Sequence, residues 1–367
     1  MNEVALKILK KINSNGYVSY LVGGYPRDII LGRESVDFDI CTSATPKQLK
    51  KIFGDLILPS EQYGSVTLIL NNIHFEITTF RKEIKYLNNR KPVEIEYIKD
   101  LEQDLKRRDF VMNTLCIDEF GNILDLLNGK EDIQNKIIRT VGNSDEKIRE
   151  DSLRILRAIR FATTLNFKLS DDLYNSIKKY AYLVKELSYF RKKQELDKIF
   201  SSKNIKYGLE LIDSLGLAQY LELSNIKNVV PTTYLIGIWS QLDVLDKYNF
   251  NNVEKDSIIK INELKNKELN DKNIYKYGLY ISTIVAEIKG IDKNKVTEIY
   301  NNLYIHNKTE INITANEICG LLNRKPGPYL KNIINDLEKQ LIDKNIKNDS
   351  QELIDYVLYN YGGKDIF

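Results

Sequence analysis

Two aspartates, Asp37 and Asp39, flank a single phenylalanine, Phe38, in a stretch that otherwise has the character of a strand. Because side chains alternate along a strand, we expect both carboxylates on one face, with Phe38 turned away from them. Two carboxylates held so close repel each other, and a shared divalent cation relieves that repulsion. The spacing therefore predicts a metal site, against the simpler alternative of a solvated surface pair.

A glycine pair, Gly23 and Gly24, follows a short apolar run and precedes a helix-like stretch over residues 26–31. Glycines at a strand-to-helix turn let backbone N–H groups approach a phosphate at the helix N-terminus. A phosphate-binding turn beside paired carboxylates indicates phosphoryl or nucleotidyl transfer. Glu76, on a predicted strand over residues 74–80, would add a third carboxylate, although an exposed strand glutamate is the equally simple interpretation.

A basic run, Lys106-Arg107-Arg108, is followed by Asp109 and, four residues later, by Asn113. Arginine suits phosphate binding because its planar guanidinium pairs with two oxygens at once. The pattern predicts a group that holds triphosphate and ribose together, although a solvated basic turn would have the same composition.

A third cluster begins at Asp151 and continues through Arg154, Arg157 and Arg160. We expect one helix over residues 145–165, which places Asp151 and Arg154 on one face. An accepting carboxylate beside a donating guanidinium matches the donor-then-acceptor edge of cytosine and adenine, which uracil and guanine lack. The alternative is an amphipathic helix whose ion pair contributes only ~0.2–0.5 kcal/mol.

The elements that must hold these residues mix strands and helices in the first 130 residues and are helical afterwards. Strands are expected at 17–22, 37–41, 65–70, 74–80, 112–118 and 122–126. Helices are expected at 3–13, from Thr45-Pro46 onward, at 145–165, 171–187 and 191–200, and from Pro326-Gly-Pro328 to about 343. A charged stretch, 81–100, has its expected loop tip at 87–92, and joints are expected at 224–232 and 305–313.

The 367 residues predict two or more domains, because one core rarely grows past roughly 250–300 residues. The 54 basic and 51 acidic residues leave a net charge of +3, which neither demands nor excludes a nucleic-acid partner. Three widely spaced cysteines and two histidines argue against a disulfide framework, a zinc site or a histidine-rich metal centre. Without a leader or a long uncharged apolar run, we expect a cytoplasmic protein that does not enter a membrane.

Together the motifs resemble the class II tRNA nucleotidyltransferases, the CCA-adding enzymes of the same superfamily as bacterial poly(A) polymerases. The resemblance covers roughly residues 15–165, and its motifs stand in the chain as Gly23-Gly-x-x-Arg-Asp28, Asp37-x-Asp39, Arg107-Arg-Asp109 with Asn113, and Glu150-Asp-x-x-Arg154. Each motif alone is weak evidence, but the four in this order are specific. Tyr25-Pro26 departs from the small residues usual in the first motif, and residues from Ile313 onward resemble the family's tail more loosely.

The resemblance implies an α+β fold, with a small mixed-sheet head of the polymerase-β nucleotidyltransferase type and an all-α neck, body and tail. The implied parts are the head at 1–135, a neck with the nucleotide-reading helix at 136–200, the body at 201–305 and a tRNA-binding tail at 306–367. The implied partner is tRNA, held at its acceptor and T-arm, and no obligatory protein partner is expected.

The implied reaction adds C, C and A to the tRNA 3′ end from CTP and ATP without a nucleic-acid template. Asp37 and Asp39 would be catalytic and hold two Mg²⁺ ions, and Glu76 is a further catalytic candidate. The implied nucleotide-binding residues are Gly23, Gly24, Arg27, Asp28, Arg108, Asp109, Asn113, Glu150, Asp151, Arg154, Arg157 and Arg160. Among them Asp151 and Arg154 would read the base, and Glu150 would orient Arg154.

Several related activities stay open. Enzymes that add only A keep the flexible loop implied for 81–97, whereas enzymes that add only CC lack it. Bacterial poly(A) polymerases carry another signature where this chain has residues 58–67. A non-catalytic RNA-binding relic would be expected to lose one of the key aspartates. An antibiotic-modifying nucleotidyltransferase would need neither the reading pair nor the long helical body.

Overall fold

The computed structural model describes residues 2–35, 37–59, 64–87 and 91–363. The chain divides into two compact units, Met1–Lys227 and Asn228–Phe367. This division falls inside the segment 224–232 that the sequence indicates as a joint. The finer boundaries at 135, 200 and 305 remain predictions.

The first unit combines strands with helices. Among the described residues its strands are β1 Ser19–Val22, β2 Phe38–Thr42, β3 Ile57–Pro59, β4 Ser65–Leu70, β5 Ile73–Thr79, β6 Arg81–Leu87, β7 Lys91–Tyr97, β8 Cys116–Ile117, β9 Ile123–Leu124, β10 Ile137–Ile138 and β11 Lys168–Leu169. Its α-helices are α1 Glu3–Ser14, α2 Gly24–Ile30, α3 Pro46–Phe53, α4 Leu101–Lys106, α5 Gly129–Gln134, α6 Ser144–Glu150, α7 Leu153–Leu165, α8 Asp171–Tyr180, α9 Tyr189–Phe200, α10 Ile205–Ser214 and α11 Ala218–Leu221.

One mixed sheet has the strand order β3-β4-β5-β2-β1-β8-β9. The pair β2–β5 is parallel, whereas β1–β2, β4–β5 and β8–β9 are antiparallel. Asn71 and Asn72 both have positive φ, which gives the tight hairpin turn predicted between β4 and β5. The helix predicted from Thr45-Pro46 onward is α3, and Thr45 as its N-cap forms a capping box with Gln48. The predicted α+β class is confirmed.

The two faces of β2 differ, as strand alternation requires. Phe38 points into the core beneath α1 and α3, with its ring 4.8 Å from Tyr25 and 5.2 Å from Phe75. Cys41 faces the other way, into a smaller cluster with Val22 and Cys116. Asp39 therefore points away from the helix-covered core, as its spacing from Phe38 predicts.

Several sequence expectations need revision. The strand expected over residues 112–118 is reduced to Cys116–Ile117, because Val111–Asn113 form a turn of 3-10 helix. The helix expected over residues 145–165 is interrupted, because α6 ends at Glu150 and α7 starts at Leu153, with Asp151 in an extended conformation (φ −148°, ψ 105°). The charged stretch expected as a loop contains β6 and β7, which pair as an antiparallel hairpin. Residues 88–90 of its predicted tip, and residues 60–63 of the stretch compared with poly(A) polymerases, lie outside the described residues.

The second unit is helical. Its described α-helices are α12 Leu235–Trp239, α13 Asn252–Leu264, α14 Asp271–Lys289, α15 Lys293–Asn301, α16 Ala315–Leu322, α17 Tyr329–Ile342 and α18 Ser350–Tyr361. Helices α16–α18 enclose a core that includes Ile318, Leu337 and Leu353. Nowhere in the part of the chain that the structure describes is a helix long and apolar enough to cross a membrane.

Candidate active site

Gly23, the residue before α2, lies against the carboxylate of Asp39. A Cβ atom at this position would be 2.9 Å from Asp39 Oδ2, which is closer than real Cβ contacts come. The backbone of Gly23 has φ 81° and ψ −129°, a region that is essentially restricted to glycine. Both the space and the backbone conformation therefore require glycine beside the catalytic candidate.

Three carboxylates gather around the start of β2. Asp39 pairs in register with Glu76 of the parallel strand β5, and exposed Asp37 directly precedes β2. Burial and repulsion from Glu76 raise the pKa of Asp39 to about 6, with a further contribution from Asp37, although the Arg108 guanidinium opposes the shift. Burial and the neighbouring carboxylates thus both disfavour the ionised form of Asp39, and a bound cation would favour it.

The donors at this position fit Mg²⁺, which prefers oxygen ligands and is commonly held by one or two carboxylates together with substrate phosphates. Over the described residues, no group of three or more His, Cys, Asp and Glu side chains is placed to hold a metal ion. The fit is therefore to a pair, Asp37 and Asp39, that would share an ion with a bound nucleotide. A catalytic part for Glu76 remains a prediction.

The basic run after α4 is organised by a buried carboxylate that sequence reasoning missed. Asp104 is fully buried and accepts hydrogen bonds from Arg107 Nε (2.8 Å) and Arg108 Nη2 (3.3 Å). Burial alone would lower the pKa of Arg108, but the Asp104 carboxylate raises it. The pair of arginines is thus held in place, and the acid three and four residues upstream was the available signal.

A chain of hydrogen bonds joins the motif that begins at Gly23 to the motif of Asp109 and Asn113. Arg27 is almost completely buried and donates from Nη1 to Asn113 Oδ1 at 2.7 Å. The same guanidinium pairs with both oxygens of Asp28 at 2.9 and 3.0 Å. Asn113 in turn donates to Asp109 Oδ1 at 3.4 Å. Four of the predicted nucleotide-binding residues therefore form one connected group.

Asp109 also connects this group to α7. Its Oδ2 accepts a hydrogen bond from Arg157 Nε at 2.8 Å, and its Oδ1 accepts one from the Phe110 N–H at 2.8 Å. Burial alone would raise the pKa of Asp109, but Arg157 and the Phe110 N–H lower it to about 2. The carboxylate is consequently ionised at neutral pH.

The break between α6 and α7 places Asp151 just before the start of α7. Its Oδ1 accepts a hydrogen bond from the Leu153 N–H at 3.0 Å, a local bond that competes with helix continuation. Burial raises the pKa of Asp151, although this hydrogen bond and the charge of Arg154 oppose the shift. Asp151 therefore presents an oriented carboxylate from an extended backbone.

Arg154 is fixed from two directions. Its Nη1 donates to Glu150 Oε2 at 2.6 Å and to the carbonyl of Lys147 at 2.8 Å, both in α6. Its Nη2 donates to the carbonyl of Arg107 at 3.3 Å, next to the basic cluster. The contact with Glu150 that the resemblance implies is present, and the guanidinium is nearly buried.

Arg160 has a partner that the sequence did not indicate. Arg160 Nε lies 3.0 Å from Glu195 Oε2 in α9, and Glu195 is almost completely buried. The sequence around Glu195 had no recognisable pattern, so only the packing of α7 against α9 identifies the pair.

Family models match three consecutive parts of the chain. The model of the Poly A polymerase head domain matches residues 19–139, and that of an RNA and SrmB-binding site of polymerase A matches residues 166–226. A model of tRNA nucleotidyltransferase domain 2 matches residues 224–357.

Individual relatives match over nearly the whole chain. The CCA-adding enzyme of Ligilactobacillus salivarius is 33% identical, covering 96% of this chain and 95% of its own. The CCA-adding enzyme of Lactococcus lactis subsp. cremoris is 34% identical, covering 94% and 93%. The Bacillus stearothermophilus CCA-adding enzyme solved with CTP superimposes with a TM-score of 0.82 at 26% identity, over 97% of this chain and 96% of that chain. The chain therefore belongs to the CCA-adding enzyme family of tRNA nucleotidyltransferases.

Proposed function

We propose that the chain adds C, C and A to the 3′ end of tRNA, using CTP and ATP and no nucleic-acid template. The observation that carries the proposal is the attachment of α7 to the basic cluster: Arg154 bonds the Arg107 carbonyl, and Arg157 bonds Asp109. These contacts hold a base-reading pair in the same compact unit as the carboxylates of β2.

Base selection follows from the donors and acceptors of the reading pair. Asp151 accepts from the exocyclic amino group of cytosine or adenine, and Arg154 donates to the neighbouring ring nitrogen. Uracil and guanine present a carbonyl oxygen towards Asp151 and a ring N–H towards Arg154. An acceptor would then face an acceptor, and a donor would face a donor. Glu150 keeps the Arg154 guanidinium in the donating orientation through their 2.6 Å contact.

Asp37 and Asp39 would hold two Mg²⁺ ions. When bound, the ions lower the pKa of the tRNA 3′-hydroxyl and neutralise charge on the triphosphate. Gly23 leaves room for the Asp39 carboxylate, and Asp37 is exposed to solvent. The 3′-hydroxyl oxygen gives up its proton to water and forms a bond to the α-phosphorus, while the bond between the α-phosphorus and the oxygen bridging to the β-phosphorus breaks, so pyrophosphate leaves.

The remaining predicted residues bind the rest of the nucleotide. Arg108 contributes positive charge next to Asp39, and Asp109 with Asn113 would accept from and donate to the ribose hydroxyl groups. The N–H groups that follow Gly23 at the start of α2 are available for phosphate by the geometry of a helix N-terminus. Arg27 and Asp28 stabilise that turn through their mutual pair.

The tRNA acceptor and T-arm would be bound by the helical parts of the chain. The match to an RNA-binding model at 166–226 supports this, and a Thermotoga maritima CCA-adding enzyme was solved with tRNA, although at 19% identity that likeness (TM-score 0.73) shows the fold alone. Phosphate contacts would fix the position of the tRNA and carry little sequence information. We propose a cytoplasmic location, where such tRNAs are matured.

Addition of A alone is the second candidate, because the hairpin β6–β7 occupies the place of the flexible loop that both classes keep. Purified protein with Mg²⁺ should be given tRNA transcripts lacking CCA, tRNA ending in CC, and an unrelated RNA. Three added residues on tRNA alone support the proposal; one residue, on the CC-ended tRNA only, supports A addition. Long A tails on any RNA would indicate a poly(A) polymerase and overturn it.

A further inference from the structure

Three guanidinium groups surround the ring of Phe161. The guanidinium carbons of Arg27, Arg157 and Arg160 lie 5.1, 5.5 and 4.2 Å from its centroid. These distances lie within the range over which a cation is attracted to an aromatic ring. Arg27 belongs to α2, whereas the other two arginines share α7 with Phe161. The ring of Phe161 thus contacts cations from both α2 and α7.

Three guanidinium groups held this close together repel one another. Burial and repulsion from Arg157 lower the pKa of Arg160, and Arg27 adds to the repulsion. Each of the three cations has a carboxylate partner, but these partners lie on α2, after α4 and on α9. The ring of Phe161 is the group that all three guanidiniums share.

Phe161 also connects the two ends of a hydrogen-bonded chain that includes Asp109 and Asn113, the residues proposed to bind the ribose. Arg27 bonds Asn113, Asn113 bonds Asp109, and Asp109 bonds Arg157. The ring of Phe161 contacts both Arg157 and Arg27, and this shared contact connects the two ends of the chain of bonds. The ring is itself positioned by Phe110, whose centroid is 5.7 Å away in an edge-on arrangement.

We propose that Phe161 is a positioning residue for the ribose and triphosphate part of the nucleotide site. It acts through Arg27 and Arg157, which orient Asn113 and Asp109, and it does not itself read the base. This inference rests on the proposed function for the identity of the ligand. Because the base is read by another pair, loss of the ring should weaken nucleotide binding without altering base choice.

The test compares Phe161→Leu, which keeps apolar volume but removes the aromatic ring, with Phe161→Tyr, which keeps the ring. Phe167→Leu makes the same chemical change in a buried phenylalanine beyond the C-terminal end of α7 and serves as the matched control. Dissociation constants for CTP and dCTP are measured by titration calorimetry. The transfer assay measures the preference for CTP over UTP, and scanning calorimetry measures the melting temperature. Phe161→Met is a second variant without a ring should the leucine variant fail to fold.

Phe161→Leu should raise the CTP dissociation constant roughly tenfold and reduce the preference for CTP over dCTP. The preference for CTP over UTP should stay unchanged. Phe161→Tyr should restore binding, and Phe167→Leu should lower the melting temperature alone. Equal dissociation constants for Phe161→Leu and Phe167→Leu, or failure of tyrosine to rescue, would overturn the inference. Absence of transfer by the wild type would instead refute the proposed function, while the binding measurements would still decide the role of Phe161.

Discussion

Glu150 Oε2 lies 2.6 Å from Nη1 of Arg154, across the break that separates α6 from α7. The arginine of the proposed reading pair is therefore held by the end of one helix while it projects from the next. A second bond, to the Lys147 carbonyl, comes from the same turn of α6. Under the proposed function, the precision of base reading would depend on how these two helices are joined.

Removal of the Glu150 carboxylate should misalign Arg154. Glu150→Ala is expected to lower kcat/KM for CTP and ATP by about tenfold, because a charge-assisted hydrogen bond is lost. Glu150→Gln should lose less, since its amide oxygen still accepts. Glu146→Ala, an exposed site on the same helix, is the control. Steady-state kinetics check the prediction, which would fail if the Ala and Gln variants were equally impaired.

Asp151→Asn should blur the choice of nucleotide, because an amide both donates and accepts. We expect UTP incorporation on tRNA ending before the first C to rise at least tenfold relative to CTP, given ~1–3 kcal/mol of discrimination per base contact. Incorporation of each nucleotide is measured singly on a sequencing gel. Unchanged rejection of UTP and GTP, equal to that of exposed-site control Asp172→Asn, would remove Asp151 from base reading.

Gly23→Ala should disable transfer through its effect on Asp39. The new methyl group would come 2.9 Å from Asp39 Oδ2, and the backbone region costs a residue with Cβ about 1–3 kcal/mol. Gly54→Ala is the matched control, since Gly54 has a similar backbone conformation (φ 61°, ψ −133°) but nothing within 4 Å of its added Cβ. Comparable loss of activity in both variants would mean that backbone strain, and not the contact with Asp39, is responsible.

Asp39→Asn should abolish transfer while preserving the fold, because the amide keeps the shape but not the charge that a cation needs. We expect a loss on the order of 10³-fold or more, as several kcal/mol of metal assistance disappear. Mg²⁺ with a non-hydrolysable CTP analogue should raise the melting temperature of the wild type and not of the variant. Retained Mg²⁺-dependent stabilisation in the Asp39→Asn variant would contradict the metal assignment. The same two measurements on Glu76→Gln test whether the third carboxylate takes part.

Acid stability should depend on Asp109. Its pKa is about 2 in the folded chain, against ~3.9 when unfolded, so the folded state binds the proton less tightly. The resulting stabilisation, about 2–3 kcal/mol, is fully present above pH ~4 and is lost as the pH falls towards 2. Asp109→Asn should lower the free energy of unfolding at pH 7 by roughly this amount and flatten its decline between pH 4 and 2. Urea titrations over this range provide the measurement, and parallel pH curves would disprove the pairing.

Local features were readable from residue types and spacing. The alternation around Phe38, the capping box of Thr45 and Gln48, and the turn at Asn71 each depend on neighbours within a few positions. The break at Asp151 was also local, since aspartate followed by serine favours a cap over continuation, but the apolar periodicity of 145–165 outweighed that signal.

The sequence by itself determined the family, the α+β class and the chemical groups of the site, because four short motifs each keep their residues at close spacing. Only the tertiary structure decided which charges meet. Asp104 became the buried partner of Arg107 and Arg108, Glu195 the partner of Arg160, and Phe161 the ring shared by three arginines. The pair Arg160–Glu195 and the approach of Arg27 to Phe161 join helices distant in the chain, and the burial of Asp104 depends on the surrounding fold. Helical or strand periodicity carries information only about the face of a single element.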